Sequence, residues 1–222
     1  MLLLFDIDGT LLQNASREHA ESLLHALERV HGISAPLGPI GAAGRTDLAI
    51  ARTILLAAGV SAQRIDDGAD EVRAITCEEY ASRCPDDLSA FLAPDAGDLV
   101  EELAGDERFH LSLVTGNLEP DARPKIAQAG IGGHFAHGQG GFGSDHEDRA
   151  ELPPIARRRA GDRPREQTVV IGDTPRDIAC ARADGLAVVA VTTGPYRRRD
   201  LESADVVIDR LGELPAALSR IA

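Results

Sequence analysis

The segment LLLFDIDGT at residues 2–10 is the most informative part of this 222-residue chain. Its first four residues are all apolar, which is typical of a strand buried on both faces of a parallel sheet. Asp6 and Asp8 follow immediately, two residues apart. Ligands bind beyond the carboxyl ends of the strands in open α/β sheets. The spacing therefore predicts two carboxylates that share a hard cation, or act as nucleophile and acid/base. A solvated acidic turn is the alternative.

Further apolar runs of the same kind recur along the chain and predict more buried strands. They lie at residues 111–114, 169–171, 187–191 and 206–208. Helical patterns alternate with them, and glycines follow three of these patterns, at Gly130, Gly161 and Gly185. Glycine just after a helical pattern is a stop signal. The alternation predicts an α/β fold with a doubly wound parallel sheet.

One region interrupts the alternation. Apolar residues recur at helical spacing over 20–30, 48–55 and 65–75, with no convincing strand between them. We therefore predict an α/β core formed by residues 1–13 and 86–222, with an all-helical insertion at residues 14–85 after the first strand. Residues 138–143 match the GxGxxG pattern of a nucleotide-phosphate loop, but no apolar strand directly precedes them, so we predict a flexible connection there.

Two further strand ends carry polar residues. LVTGN at residues 113–117 offers the Thr115 hydroxyl, the Gly116 amide and the Asn117 side chain, which together suit a phosphate group. Taken alone, this segment could be an ordinary turn. VIGDTPRD at residues 170–177 delivers two more carboxylates, four residues apart, and its proline suits the first turn of a helix. The alternative for its polar residues is helix capping.

These three motifs, in this order, resemble those of the haloacid dehalogenase (HAD) superfamily of hydrolases. The resemblance extends over nearly the whole chain and implies a Rossmann-like core. The helical insertion resembles the cap of phosphoglycolate phosphatase-like and β-phosphoglucomutase-like members. The resemblance implies a phosphatase that uses an aspartyl-phosphate intermediate.

The resemblance also implies a role for each motif residue. Asp6 would be the nucleophile, and Asp8 would protonate the leaving group and then deprotonate the attacking water. Thr115 and the Gly116 amide would hold the phosphoryl group, with Asn117 nearby.

Magnesium is the implied cofactor. Its ligands would be an Asp6 oxygen, the Asp8 backbone carbonyl and Asp173, with Asp177 supporting the water shell. Mg²⁺ prefers a few carboxylates, waters and substrate oxygens, which agrees with this set.

The basic third motif departs from the family pattern, in which it is a lysine. Lys125 is the only lysine of the chain, and its position on the helix after Asn117 is too early. We therefore expect Lys125 to lie away from the phosphate and assign the role to Arg149, which lies 24 residues before Asp173, where the family's lysine normally falls. A surface arginine is the alternative for Arg149. Arg45, at the start of an insertion helix, is expected to contact the non-phosphate end of the substrate, although Thr46 or Asp47 there could simply cap the helix.

Composition narrows the possible partners. The net charge of −13 disfavours nucleic acid and anionic membranes. The partner that the resemblance implies is a small phosphorylated molecule. Three unpaired-looking cysteines and the absence of a signal-peptide pattern favour the cytoplasm. The sequence leaves the oligomeric state open.

The same residues also bear on other activities found in this superfamily. Dehalogenases lack the second aspartate of the first motif, so Asp8 argues against that activity. The phosphonate hydrolases need a cap lysine, and residues 14–85 contain none. A phosphomutase shares every core residue and stays open. A non-catalytic binding module with the same fold is disfavoured by the intact aspartates.

Overall fold

A six-stranded parallel sheet forms the centre of the molecule. The computed structural model describes residues 1–35 and 41–221, so part of the predicted insertion, residues 36–40, lies outside the described residues. The strands are β1 (Leu2–Phe5), β2 (His110–Thr115), β3 (Gly141–Phe142), β4 (Thr168–Gly172), β5 (Ala187–Val191) and β6 (Val206–Ile208). Their order across the sheet is β3-β2-β1-β4-β5-β6.

The register of the central strands brings the three motifs to one edge of the sheet. Phe5 of β1 is level with Leu113 of β2 on one side and with Ile171 of β4 on the other. All three strands run in parallel, so the residues that follow them leave the sheet together. This register places the segments after Phe5, Leu113 and Ile171 around a single crevice.

Helices cover both faces of the sheet. The α-helices of residues 1–35 and 41–221 are α1 (Arg17–His31), α2 (Asp47–Ala57), α3 (Ala62–Arg83), α4 (Ala96–Ala104), α5 (Glu119–Gln128), α6 (Leu152–Arg159), α7 (Pro175–Ala183) and α8 (Leu214–Leu218). Leu3 and Phe5 of β1 pack in an apolar cluster with α4, α5 and α8. Leu2 and Leu4 pack on the opposite face with α6 and α7. The doubly wound α/β fold predicted from the sequence is therefore confirmed.

Helices α1, α2 and α3, which follow β1, share a hydrophobic cluster of their own. It includes Leu27 of α1, Leu55 of α2 and Val72 of α3. The two chain segments that lead into and out of this helical group run side by side, since Leu12 forms a β-bridge with Leu92. None of the helices in the described residues is long and apolar enough to cross a membrane.

The glycine-rich segment at residues 138–143 differs from the prediction of a flexible connection. It contains β3, which pairs with β2 through Val114 and Gly141. A two-residue strand is too short to show the period-2 alternation by which strands are detected in a sequence. The prediction of a simple connection was therefore wrong at its end.

Candidate active site

A cavity of about 760 Å³ lies beyond the carboxyl ends of β1, β2 and β4, beneath α1 and α2. Nearly all predicted site residues line it: Asp6, Asp8, Arg45, Thr115, Gly116, Asn117, Arg149 and Asp173. Asp177 is fully buried behind the wall of this cavity. The structure thus brings the residues of all three motifs together, as the sheet register requires.

Arg149 links two of the carboxylates. Its Nη2 atom lies 3.1 Å from Oδ1 of Asp6 and 2.5 Å from Oδ1 of Asp177. Burial raises the pKa of Asp6 to about 6, and the neighbouring carboxylates of Asp177 and Asp8 add to this, although Arg149 opposes it. The sequence-based placement of Arg149 beside the predicted nucleophile matches this geometry, while its catalytic role stays a prediction.

Asp173 has one satisfied and one unsatisfied oxygen. Thr10 donates a hydrogen bond of 2.9 Å from Oγ1 to Oδ1. The other oxygen, Oδ2, is buried and has no hydrogen-bond partner among the described residues. Burial, together with repulsion from Asp177 and Asp6, raises the pKa of Asp173 to about 8. A buried carboxylate without a partner is costly, so this oxygen calls for a cation or a proton.

Asp177 takes part in both of the arrangements considered for its motif. Its Oδ2 accepts hydrogen bonds from the backbone N–H and the hydroxyl of Thr174, at 2.9 and 2.7 Å. Thr174 in turn caps α7, whose first residue is Pro175. The remaining oxygen faces Arg149. Helix capping therefore fixes the Asp177 carboxylate beside the cluster instead of excluding it from the site.

The donor set suits magnesium. Asp6, Asp173 and Asp177 are buried, and one carboxylate oxygen of each lies within 4.8 Å of the others. Mg²⁺ binds oxygen ligands, commonly one or two carboxylates with waters and substrate oxygens. A divalent cation would also relieve the mutual repulsion that raises two of these pKa values.

The carboxylate of Asp8 is held by Lys125. The Nζ atom of Lys125 is 3.0 Å from Oδ1 and 2.9 Å from Oδ2 of Asp8. Asn117 Nδ2 donates a further hydrogen bond of 2.9 Å to Oδ2. Burial alone would raise the pKa of Asp8, but Lys125 and then His19 outweigh it and bring the pKa to about 2.

The expectation that Lys125 lies away from the site was therefore wrong. Lys125 is fully buried, and its long side chain reaches from α5 back to the strand ends. In the sequence, Lys125 falls earlier than the family's usual lysine position. A helix that starts two residues after Asn117 nevertheless places its second turn beside the same crevice.

The loop of the second motif lies against the helical insertion. A Cβ atom on Gly116 would fall 2.0 Å from the carbonyl oxygen of Arg45, so only glycine permits this approach. Asp47 N–H donates to the Gly116 carbonyl at 2.9 Å, and Leu118 N–H donates to Asp47 Oδ2 at 2.9 Å. These contacts hold the loop of the second motif against the start of α2.

The remaining predicted residues, Thr115 and Arg45, also face the cavity. Thr115 is fully buried and lies directly at the end of β2. Arg45 donates from Nη1 to Thr53 Oγ1 at 3.1 Å, which holds its guanidinium against α2. Thr46 accepts from Ala49 N–H and so caps α2, as the alternative interpretation of this segment foresaw.

Comparison with known proteins agrees with the geometry. The family model for haloacid dehalogenase-like hydrolases matches residues 3–182. The chain therefore belongs to the haloacid dehalogenase-like hydrolases.

The individual proteins that this chain resembles have low sequence identity to it. The phosphoglycolate phosphatase of Mesorhizobium japonicum is 28% identical over 214 residues, covering 93% of this chain and 89% of that protein. The tyrosine-protein kinase PtkA of Mycobacterium bovis is 29% identical over 202 residues, and the match covers 90% of this chain but 64% of that longer protein. A β-phosphoglucomutase structure from Clostridium difficile superposes with a TM-score of 0.73 at 15% identity, covering 99% of this chain and 96% of that one. That structure supports the fold alone.

Proposed function

We propose that this protein is a magnesium-dependent phosphatase that hydrolyses small phosphorylated metabolites through an aspartyl-phosphate on Asp6. One observation carries the proposal. The buried carboxylate of Asp6 sits at the wall of a cavity, paired with the Arg149 guanidinium and beside Asp173 and Asp177. Family membership and the phosphatase among its relatives support this assignment.

The proposed reaction has two steps, and both use Asp6 and Asp8. In the first, an Asp6 oxygen attacks phosphorus, the bond to the leaving oxygen breaks, and Asp8 gives that oxygen a proton, which the ionised carboxylate must first take up from solvent because its pKa is about 2. In the second, Asp8 takes a proton from water as the water oxygen attacks the same phosphorus, which releases inorganic phosphate and restores the Asp6 carboxylate. Splitting one hydrolysis into two steps is the general advantage of a covalent nucleophile.

Positive groups must balance the charge of the phosphoryl group, because the protein as a whole carries a net charge of −13. Arg149 supplies a fixed guanidinium, and the Thr115 hydroxyl and Gly116 amide supply donors at the neighbouring strand end. Asp6, Asp173, Asp177 and the Asp8 backbone carbonyl would hold Mg²⁺. When bound, the ion neutralises charge on the transferring oxygens, which matters more in phosphoryl transfer than covalent chemistry by the protein.

We further propose that residues 14–85 act as a cap that covers the leaving group. The cavity wall formed by α1 and α2 is mostly apolar and includes Leu23, Leu24 and Ile50. Arg45 contributes a cation at the edge of this wall and would contact the non-phosphate end of the substrate. A cap of this kind positions the substrate and controls the access of water.

The test is turnover of a simple aryl phosphate with and without Mg²⁺. A phosphatase releases inorganic phosphate only when the metal is present, whereas a binding module with this fold releases none. The same assay on a panel of phosphorylated metabolites identifies the preferred substrate. It also separates phosphatase from phosphomutase activity, since a mutase yields an isomeric phosphate ester instead of free phosphate.

A further inference from the structure

The environment of Lys125 is more specific than that of a structural cation. An ammonium group has three N–H donors. The acceptors around Nζ are the Asp8 carboxylate, Oδ1 of Asn117 at 2.8 Å and Nδ1 of His19 at 3.3 Å. Each donor therefore has one acceptor group, which fixes the orientation of the ammonium and, through it, that of Asp8.

The acceptors come from two parts of the molecule. Asp8 and Asn117 follow β1 and β2 of the core, whereas His19 belongs to α1 of the helical insertion. A second insertion residue, Ser16, donates from Oγ to Asp8 Oδ1 at 2.8 Å. The position of the insertion and the orientation of Asp8 are therefore mechanically linked.

His19 is itself held in place. Its Nε2 atom lies 3.0 Å from Asp47 Oδ2 and 3.5 Å from Asp121 Oδ2, and all three side chains are buried. Burial lowers the pKa of His19, while Asp47 and Asp121 raise it above its ordinary value overall. His19 therefore presents Nδ1 to the Lys125 ammonium at 3.3 Å and Nε2 to the two carboxylates.

We propose that Lys125 is a positioning residue that fixes the acid/base carboxylate Asp8 and, through His19, makes its orientation depend on the closed insertion. This inference rests on the proposed phosphatase function. Lys125 touches Asp8 and acts through it, so its effect should follow the steps in which Asp8 transfers a proton. When the leaving group departs without a proton, the attack of Asp6 on phosphorus should depend little on Lys125.

The test compares two phosphate esters in the Lys125→Met variant. Met has a similar length but no donors. An alkyl phosphate needs a proton on its leaving oxygen, whereas p-nitrophenolate leaves without one. We expect kcat/KM for propyl phosphate to fall by about 10²-fold or more, the usual contribution of a positioned general acid, and that for p-nitrophenyl phosphate to fall at least tenfold less. Asp8→Asn should show the same selective pattern.

Two further variants keep the test decisive. His19→Phe preserves ring volume but removes the acceptor in the insertion, and it should reproduce the selective loss in weaker form. If Lys125→Met fails to fold, His19→Phe still tests the proposal. Arg123→Met is the matched control, because Arg123 lies on the same helix and bonds to the carbonyl groups of Phe135 and Gln139, away from the cavity. Its loss should lower the melting temperature without changing the ratio of the two kcat/KM values.

The outcomes separate this inference from the function beneath it. An equal loss for both esters in Lys125→Met and His19→Phe, or no loss in either, would overturn the positioning role while leaving the phosphatase intact. A wild-type protein that hydrolyses neither ester with Mg²⁺ would overturn the proposed function and this inference with it.

Discussion

Two buried cations, Arg149 and Lys125, pair with carboxylates of the site, and they differ in what holds them. Arg149 contacts Asp6, Asp177 and the Val114 carbonyl, all of which belong to the core. Lys125 also contacts His19, which belongs to the insertion. The proposed nucleophile side of the site, around Asp6 and Arg149, thus has its contacts within the core, whereas the proposed acid/base side, around Asp8 and Lys125, also has contacts to the insertion.

The largest effect should come from the nucleophile itself. Asp6→Asn should abolish turnover of both alkyl and aryl phosphates, because an amide can serve neither as nucleophile nor as an anionic metal ligand. The fold should survive, since Asp177 still pairs with Arg149. Phosphate release and circular dichroism measure the two effects. Appreciable activity in purified Asp6→Asn protein would contradict the assignment of Asp6 as the nucleophile.

Removal of the metal should also affect the part of the site around Asp6. A chelator should silence the enzyme, and Mg²⁺ should raise the melting temperature of the wild type, because a ligand that binds only the native state stabilises it by mass action. Asp173→Ala should lose much of that rise. Asp205→Ala is the control, since Asp205 pairs with Arg182 at the surface and should keep the Mg²⁺ response. Full activity in chelator would show that the cation is misassigned.

Arg149→Ala should be less severe but unselective. We expect kcat/KM to fall by about 10²-fold or more for both ester types, the scale of losing one preorganised charge partner. Arg149→Lys should recover part of the loss, although an ammonium cannot reproduce the guanidinium fork. The comparison of the two cations fails if Arg149→Ala affects only the alkyl ester, because that selective pattern is expected on the Lys125 side.

The smallest effect should come from the surface contact between insertion and core. Arg52 of α2 pairs with Glu147 of the core through Nε and Oε1 at 2.5 Å, and both side chains are partly exposed. Exposed pairs contribute at most about 1 kcal/mol, so Arg52→Ala should raise KM less than about fivefold with kcat unchanged. Arg73→Ala, whose partner Asp70 lies within the insertion, should leave KM unaltered. A large fall in kcat would mean that this contact does more than hold the insertion closed.

The fold and the nucleophile side were predictable from the sequence because their information is local. Buried parallel strands are continuous apolar runs, and each motif directly follows one, so the sheet register alone brings Asp6, Thr115 and Asp173 together. Arg149 was placed by its distance from Asp173 along the chain. These inferences needed no knowledge of how helices pack.

The acid/base side depends on packing between distant segments, which single-sequence patterns do not specify. Lys125, His19 and Asp47 lie on three different helices, and only their tertiary arrangement joins them to Asp8. One signal was present: a single lysine among 23 basic residues sits four residues after Asp121, on the same face of α5. The strand β3 was missed for a different reason, since two residues cannot show a period.

The most direct test of the central claim is the stereochemistry at phosphorus. A phosphate ester made chiral with oxygen isotopes is hydrolysed by the wild-type enzyme with Mg²⁺, and the configuration of the product phosphate is determined. Attack by Asp6 followed by attack by water inverts phosphorus twice, so the account predicts net retention. Net inversion would show that water attacks the substrate directly and would contradict Asp6 as the nucleophile.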